Sequence, residues 1–285
     1  MDMVFYLPLH QRGLAFQAAQ RDLEPVLITG SPGTGKRSVA RWMHEHGPRS
    51  GSFFLEGSLE GSLSDQLLEA QGGTLLLHEL GEYSLSMQKA LLSFLKTKTV
   101  VRPGSDEIAV VANTRVIGTS SQCLESRSQA GLFNRELLEC ISFFHVQVPC
   151  LAEREDFESI VDAMIDEIAQ ELNRGHFDAL KPKVLQCLKS YGWPGNLREL
   201  RSFLKEAIVK AESQSLDLSS FPQWDLIQID LRATKEEFEK NYLLELLISL
   251  NWELDETCKV ASMSKSTLLC KIQHYGIALD SVSFP

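Results

Sequence analysis

The sequence predicts an α/β fold, a doubly wound parallel sheet carrying a helical lid, followed by a small all-α unit. Three observations carry this expectation. Apolar strands alternate with amphipathic helices to about residue 150, only helical patterns follow, and one strand-to-helix junction over residues 27–36 reads Leu-Ile-Thr-Gly-Ser-Pro-Gly-Thr-Gly-Lys.

That junction is the strongest local signal. An apolar run over 26–28 leads into glycines at 30, 33 and 35, then Lys36, then a helical pattern. Glycines let backbone N–H groups turn inward on a polyphosphate, the following helix presents its positive end, and the lysine can reach the outer phosphates. Gly30, Ser31, Pro32, Gly33, Thr34, Gly35, Lys36, Arg37 and Ser38 are therefore the expected nucleotide-binding residues. The residue after the lysine, usually a hydroxyl that binds Mg²⁺, is Arg37, and Ser38 comes one place late. Phosphate binding survives this change better than metal binding does.

The chain begins with a helical pattern over 10–22 and a first strand over 25–29, and the helix after the loop covers 36–46, closed by Gly47-Pro48. A short strand over 53–55 and a brief helix over 65–71 lead to Gly72-Gly73-Thr74-Leu75-Leu76-Leu77-His78-Glu79. A wholly apolar strand ending in an acid is how P-loop ATPases bring a carboxylate next to the γ-phosphate, so Glu79 is the candidate catalytic base. His78 stands where a metal-binding Asp would be, and imidazole is a poor partner for hydrated Mg²⁺.

Residues 84–96 read as an amphipathic helix with Ser86 as its candidate cap. A hairpin is expected over 100–102 and 108–111 around Pro103-Gly104, then a buried strand over 115–119 and a last strand over 143–148. Helices follow over 154–173, 181–190 and 196–212, the last opened by Trp193-Pro194-Gly195. A polar stretch over 213–220, with Pro222 soon after, reads as a linker. The expected organisation is a nucleotide-binding subdomain over 1–150, a helical lid over 151–213, a linker over 214–232 and a C-terminal unit over 233–285.

Composition narrows the class. At 285 residues, with 44% apolar and 23% charged residues, the chain is expected to be soluble and cytoplasmic, with no stretch apolar enough to span a bilayer and no membrane partner. Six cysteines without any Cys-x-x-Cys spacing suggest reduced, mostly packed thiols, and no metal site is expected. His44 and His46 stand two apart, which puts them on different faces of a helix. A net charge of −10 argues against sequence-blind nucleic-acid binding by the whole surface, and leaves room for a local reader.

The runs Val26-Leu27-Ile28-Thr29-Gly30, Gly33-Thr34-Gly35-Lys36, Gly72-Gly73-Thr74-Leu75, Arg115-Val116-Ile117 and Trp193-Pro194-Gly195-Asn196-Leu197-Arg198-Glu199-Leu200 together carry a resemblance. The chain resembles the AAA+ domain of bacterial enhancer-binding proteins, the ATPase activators of sigma-54 RNA polymerase, over nearly its whole length. The resemblance implies an AAA+ P-loop fold, ATP or ADP as ligand, and Arg198 as a nucleotide sensor, and it makes Arg37 less unusual, since the family usually has a non-hydroxyl residue after the lysine. It also implies self-association as a dimer or hexamer, or association with related AAA+ regulators.

The departures from the family are as informative. Its sigma-contacting Gly-Ala-Phe-Thr-Gly-Ala loop has no counterpart between Lys36 and Glu79, so remodelling of sigma-54 is not expected. The arginine fingers align with Asn134 and Cys140; Arg135 lies one residue out of register, which on a helix turns a side chain about 100° away. The metal-binding Asp is His78, and the polar sensor after the fourth strand is reduced to Ser120 and Ser121. The expected outcome is a site kept for nucleotide binding while its hydrolytic parts have drifted, with Mg²⁺ left only weakened ligands.

Helical patterns over 233–250, 254–261 and 265–275, with Ser264 as an N-cap, describe a helix-turn-helix that resembles the Fis-type reader of enhancer-binding proteins. Lys265, Ser266, Thr267, Lys271, Gln273 and His274 are the candidate DNA contacts, and dimerisation through Phe238, Tyr242 and Leu246 would support them. Because this unit holds more acids than lysines, a helical dimerisation tail without a DNA role is the alternative.

The function these expectations add up to is a transcription regulator that binds ATP and DNA, with nucleotide acting as a switch rather than as fuel. No receiver or sensory segment precedes Met1, so control is expected to come from a partner, nucleotide level or expression. Two other readings stay open: a working ATPase that remodels another target, and an inactive subunit that joins and damps true enhancer-binding proteins.

Overall fold

The computed structural model describes residues 7–59, 61–101, 109–217, 220–221, 240, 242–250, 252–261, 263, 265–275 and 277. The chain forms two compact units, Met1–Phe221 and Pro222–Pro285.

The first unit is built on five short parallel strands: β1 (Val26–Thr29), β2 (Phe54–Gly57), β3 (Thr74–Leu77), β6 (Arg115–Ser120) and β7 (Phe144–Gln147). Their order across the sheet is β2-β3-β6-β1-β7. Successive side chains leave a strand on opposite faces. Leu27, Leu75, Leu77 and Val116 accordingly enter one core with helices α3 (Leu63–Glu69), α4 (Leu85–Thr97) and α6 (Arg135–Ile141), while Val26, Ile28, Leu76 and Ile117 enter the other with α1 (Leu9–Ala19) and α2 (Lys36–Glu45). Coverage of both faces explains why these strands read as unbroken apolar runs instead of alternating ones.

The strands and helices that the sequence predicts in this unit form within a few residues of their expected positions, and the helices Leu124–Gln129 and Arg135–Ile141 come in addition to them. Ser84, not Ser86, caps α4: its side chain accepts a hydrogen bond from the Met87 amide at 3.3 Å, and Ser86 bonds Ser84 through its hydroxyl. β4 (Thr99–Val101) and β5 (Ala109–Val111) pair antiparallel as the expected hairpin, whose Pro103-Gly104 turn lies outside the described residues. Short α5 (Leu124–Gln129) follows β6. The lid's first helix, α7 (Phe157–Glu171), begins later than expected because a single helical turn over Leu151–Glu153 precedes it and the Arg154 guanidinium folds back onto Asp156 at 2.7 Å.

The lid continues with α8 (Pro182–Ser190) and α9 (Asn196–Lys210). Trp193 is buried between them; its indole N–H donates to the Leu188 carbonyl at 2.8 Å, and its ring meets Phe203 edge-on at 5.6 Å. The segment expected to be a linker starts as packed chain. Leu216 and Phe221 are buried, and Phe221 stacks on Phe203 with ring centroids 5.1 Å apart.

In the second unit, residues 242–249 are helical, followed by helices Leu254–Val260 and Lys265–His274. Leu243, Leu247, Leu268, Ile272 and Ile277 form its core. The expected cap Ser264 and the dimer residue Phe238 lie outside the described residues, while Tyr242 is exposed and Leu246 half-buried. No helix among the described residues is long and apolar enough to cross a membrane.

Candidate nucleotide site

Because β6 lies between β1 and β3, the loops that leave the C-terminal ends of these three strands stand side by side. They carry the phosphate loop, Ser121 and Glu79. In open α/β sheets this edge is where ligands bind. A cleft of about 950 Å³ opens there between the sheet and the lid, lined by residues of the phosphate loop, by His78, Glu79 and Ser121, and by lid residues including Arg198 and Arg201.

The phosphate loop has the backbone that a polyphosphate needs. Gly33 and Gly35 lie at φ 80° and 96°, in the left-handed region, and Gly35 leads directly into the ten-residue helix α2. Lys36 is buried at the base of the cleft. Its ammonium donates to the Gly30 carbonyl at 2.7 Å, the Ser31 carbonyl at 3.2 Å and the Ser121 hydroxyl at 2.7 Å. The Ser121 hydroxyl in turn donates to Glu79 Oε1 at 2.8 Å, and the Ser121 amide donates to Glu79 Oε2 at 2.7 Å. Lys36 and Glu79 are themselves 3.6 Å apart. Burial pulls the Lys36 pKa down, Glu79 opposes that shift, and Arg198 adds to it across the cleft. Two like charges facing one cleft favour an anion between them.

Arg198 is exposed on the lid at the start of α9, and no ion pair holds its guanidinium among the described residues. Arg201, one turn on, differs: it is committed to Glu167 at 3.1 Å and to Glu171. The lid touches the phosphate loop directly. The Arg198 amide donates to the Gly33 carbonyl at 3.3 Å, and the Asn196 side chain donates to the Pro32 carbonyl at 3.0 Å.

Of the positions expected to have lost their hydrolytic role, each has a defined structural role. Asn134 caps α6 by accepting from the Leu137 amide at 3.0 Å, Cys140 packs on the core, and exposed Arg135 pairs with Glu139 on its own helix at 3.2 Å. Ser120 is buried and donates to the Gln122 carbonyl, which leaves Ser121 as the residue that reaches the cleft. Glu79 adopts φ 49°, a left-handed conformation rare outside glycine.

One residue that the sequence did not single out organises the other side of the loop. Glu56, at the end of β2, accepts from Arg37 at 2.8 Å and from Arg41 at 2.9 Å, and lies 3.3 Å from His78 Nε2. Burial pushes its carboxyl up, but hydrogen bonds from Arg37 and His78 outweigh that and hold it below its ordinary pKa. A carboxylate in an otherwise apolar strand was its only signal.

The residues fit a polyphosphate: glycine backbone, a helix N-terminus, Lys36 below and Arg198 above. They do not fit Mg²⁺ in the usual way. The position for a metal-binding hydroxyl is Arg37, His78 is turned to Glu56, and both oxygens of Glu79 and of Glu56 already accept from N–H or O–H donors. No group of three metal-ligating side chains occurs among the described residues.

Of the candidate DNA contacts, Lys265 and Thr267 are exposed on the Lys265–His274 helix and Lys271 is half-buried on it. Ser266, Gln273 and His274 belong to the same helix, and their side chains lie outside the described residues. Five free cysteines are described: Cys123 is exposed, and Cys140, Cys150, Cys187 and Cys258 are half-buried, with Cys140 and Cys258 packed against hydrophobic cores.

A parallel sheet with a phosphate loop at its C-terminal edge, closed by a helical lid, defines a P-loop nucleotide-binding protein of the AAA+ class. Residues 14–151 match the family described as the sigma-54 interaction domain, and residues 152–237 match the AAA+ ATPase lid domain. Residues 14–151 belong to this sigma-54 interaction domain family. The chain is 26% identical over 291 residues to the regulatory protein AtoC of Escherichia coli (strain K12), covering 88% of this chain and 62% of AtoC. It is 31% identical over 217 residues to the Nif-specific regulatory protein of Klebsiella pneumoniae, covering 67% of this chain and 41% of that protein. The chain thus spans about half the length of these curated relatives. Among solved structures it is similar to NtrX from Brucella abortus in complex with ATP, with a TM-score of 0.65 and 26% identity over 94% of this chain and 67% of NtrX.

Proposed function

We propose that this protein is a nucleotide-switched transcription regulator that binds ATP or ADP between sheet and lid, binds DNA through its C-terminal helices, and hydrolyses ATP slowly or not at all. The observation that carries this reading is that Lys36 and Arg198 face one cleft from different subdomains, while the positions of the arginine fingers serve as a helix cap and a core contact. Bound nucleotide would be held by the amides of the phosphate loop, by Lys36 and by Arg198. Its phosphates bring the negative charge that draws the two cations together, and so set the position of the lid.

The same reading assigns no sigma-54 remodelling to the chain. It is supported by the sequence between Lys36 and Glu79, which holds no Gly-Ala-Phe-Thr-Gly-Ala run, and by α3, which is only seven residues long. In the second unit Lys265, Ser266, Thr267, Lys271, Gln273 and His274 would meet phosphates and base edges. Self-association as a dimer or larger ring would raise the affinity of each weakly basic reader.

The test is ATP affinity and turnover on one purified sample, with Lys36→Ala as the control. Loss of a charge-assisted contact should weaken ATP binding by about 10- to 100-fold. Tight wild-type binding with turnover no higher than that of the control supports a switch. Clear turnover that Lys36→Ala abolishes would make the protein a motor and overturn the reading.

A further inference from the structure

We propose that the site takes its nucleotide as a metal-free polyphosphate, with Arg37 supplying the positive charge that a divalent cation would otherwise bring. The inference rests on the nucleotide-binding reading above and goes one step further, to the form in which the ligand binds.

The carboxylates of Glu79 and Glu56, beside the phosphate loop, are spoken for, whereas exposed Glu82 lines the cleft. Glu79 receives the amide and hydroxyl of Ser121, with Lys36 3.6 Å away. Glu56 receives Arg37 and Arg41 and faces His78. A divalent ion bound to either group would have to displace cations and N–H donors, and Mg²⁺, which keeps near-octahedral oxygen ligands, would be left with nucleotide phosphates, waters and the exposed Glu82.

Positive charge is abundant in the same place. Lys36, Arg37 and Arg198 all line the cleft. Arg37 is on the first turn of α2, and its side chain is 64% exposed, so it is free to re-aim. Its pairing with Glu56 leaves that carboxylate well supplied when Arg37 turns away, because Arg41 and His78 remain on it, and Arg41 is itself seated 4.8 Å over the Phe54 ring. The partly buried carboxylate is then not orphaned, which is the usual obstacle to such an exchange. A guanidinium matches phosphate oxygens in bidentate geometry, and gives directly the charge compensation that a bound ion gives through its coordination shell.

Calorimetric titration of the full chain with ATP, once in excess Mg²⁺ and once in excess EDTA, tests this. The expected result is an affinity in EDTA equal to or higher than that in Mg²⁺. In Arg37→Ser, which places a hydroxyl after the lysine, binding in EDTA should weaken by about 10-fold and Mg²⁺ should then improve it. Wild-type binding at least about 10-fold weaker in EDTA than in Mg²⁺ overturns this inference and leaves the nucleotide-switch reading standing. An affinity in EDTA unchanged by Arg37→Ser, with the variant's circular dichroism intact, also overturns it. Absence of binding under both conditions would instead overturn the nucleotide reading itself. The wild-type comparison needs no variant, so it does not depend on how Arg37→Ser folds.

Discussion

The side-chain amide of Asn196 donates to the carbonyl of Pro32 at 3.0 Å, joining residues 164 positions apart. The oxygen of the same side chain accepts from the Leu151 amide at 2.8 Å. One buried Asn, at φ 52°, thus ties together the phosphate loop, the segment entering the lid and the first residue of α9. Asn tolerates the left-handed region better than most residues and brings both a donor and an acceptor to the joint.

Asn196→Ala removes both bonds, strands the buried Leu151 amide and puts a Cβ-bearing residue without local compensation at positive φ. We expect a loss of about 2–4 kcal/mol in urea unfolding. Asn196→Gly, which relieves the backbone, should lose less. Wild-type stability in the Ala variant would show that the joint is not held this way.

Gly33 is required by contact as well as by conformation. A Cβ there would lie 2.1 Å from the Gly195 carbonyl oxygen, a backbone atom that no rotamer change can move. Gly33→Ala should push the lid off the phosphate loop, seen as faster amide exchange over 195–200 and an ATP affinity lower by about 10-fold or more. Gly192→Ala, whose Cβ would meet nothing within 4 Å, is the control and should match wild type.

His44 is buried, with Nδ1 3.0 Å from the Thr74 hydroxyl, and its pKa is lowered from 6.5 chiefly by burial, with Arg115 adding to the effect. The unfolded chain then binds a proton at higher pH than the folded one. Stability contributed by neutral His44 is complete above 6.5 and is lost as pH falls from 6.5 toward its lowered folded value. The shifted carboxylates Asp22, Glu56 and Asp156 act in a more acidic window, below ordinary values of 3.8 to 4.5. The urea midpoint should therefore fall as pH is lowered from about 7 to about 5, and His44→Gln should flatten that slope. An unchanged slope in the variant would assign it elsewhere.

The Tyr83 hydroxyl is buried without a hydrogen-bond partner among the described residues, and burial pushes its pKa up to about 12. Removing an unsatisfied polar atom while keeping the ring should cost nothing. Tyr83→Phe is expected to be neutral or to stabilise by up to about 1–2 kcal/mol in thermal or urea unfolding. Clear destabilisation would mean that the hydroxyl has a partner in solution.

Local patterns in the sequence determined the phosphate loop, the run of strands and helices, the lid's Trp193-Pro194-Gly195-Asn196 segment and the place of Glu79, because glycine spacing, apolar periodicity and strand-end acids act over a few residues. What only the tertiary structure decided is the pairing. Ser121 joins Lys36 and Glu79 across 85 and 42 positions because β6 inserts between β1 and β3, and Glu56 meets Arg37, Arg41 and His78 because β2 lies beside β3. Strand order is a property of the closed sheet and is not carried by any local period. The charge balance of the nucleotide cleft therefore came into view only with the fold.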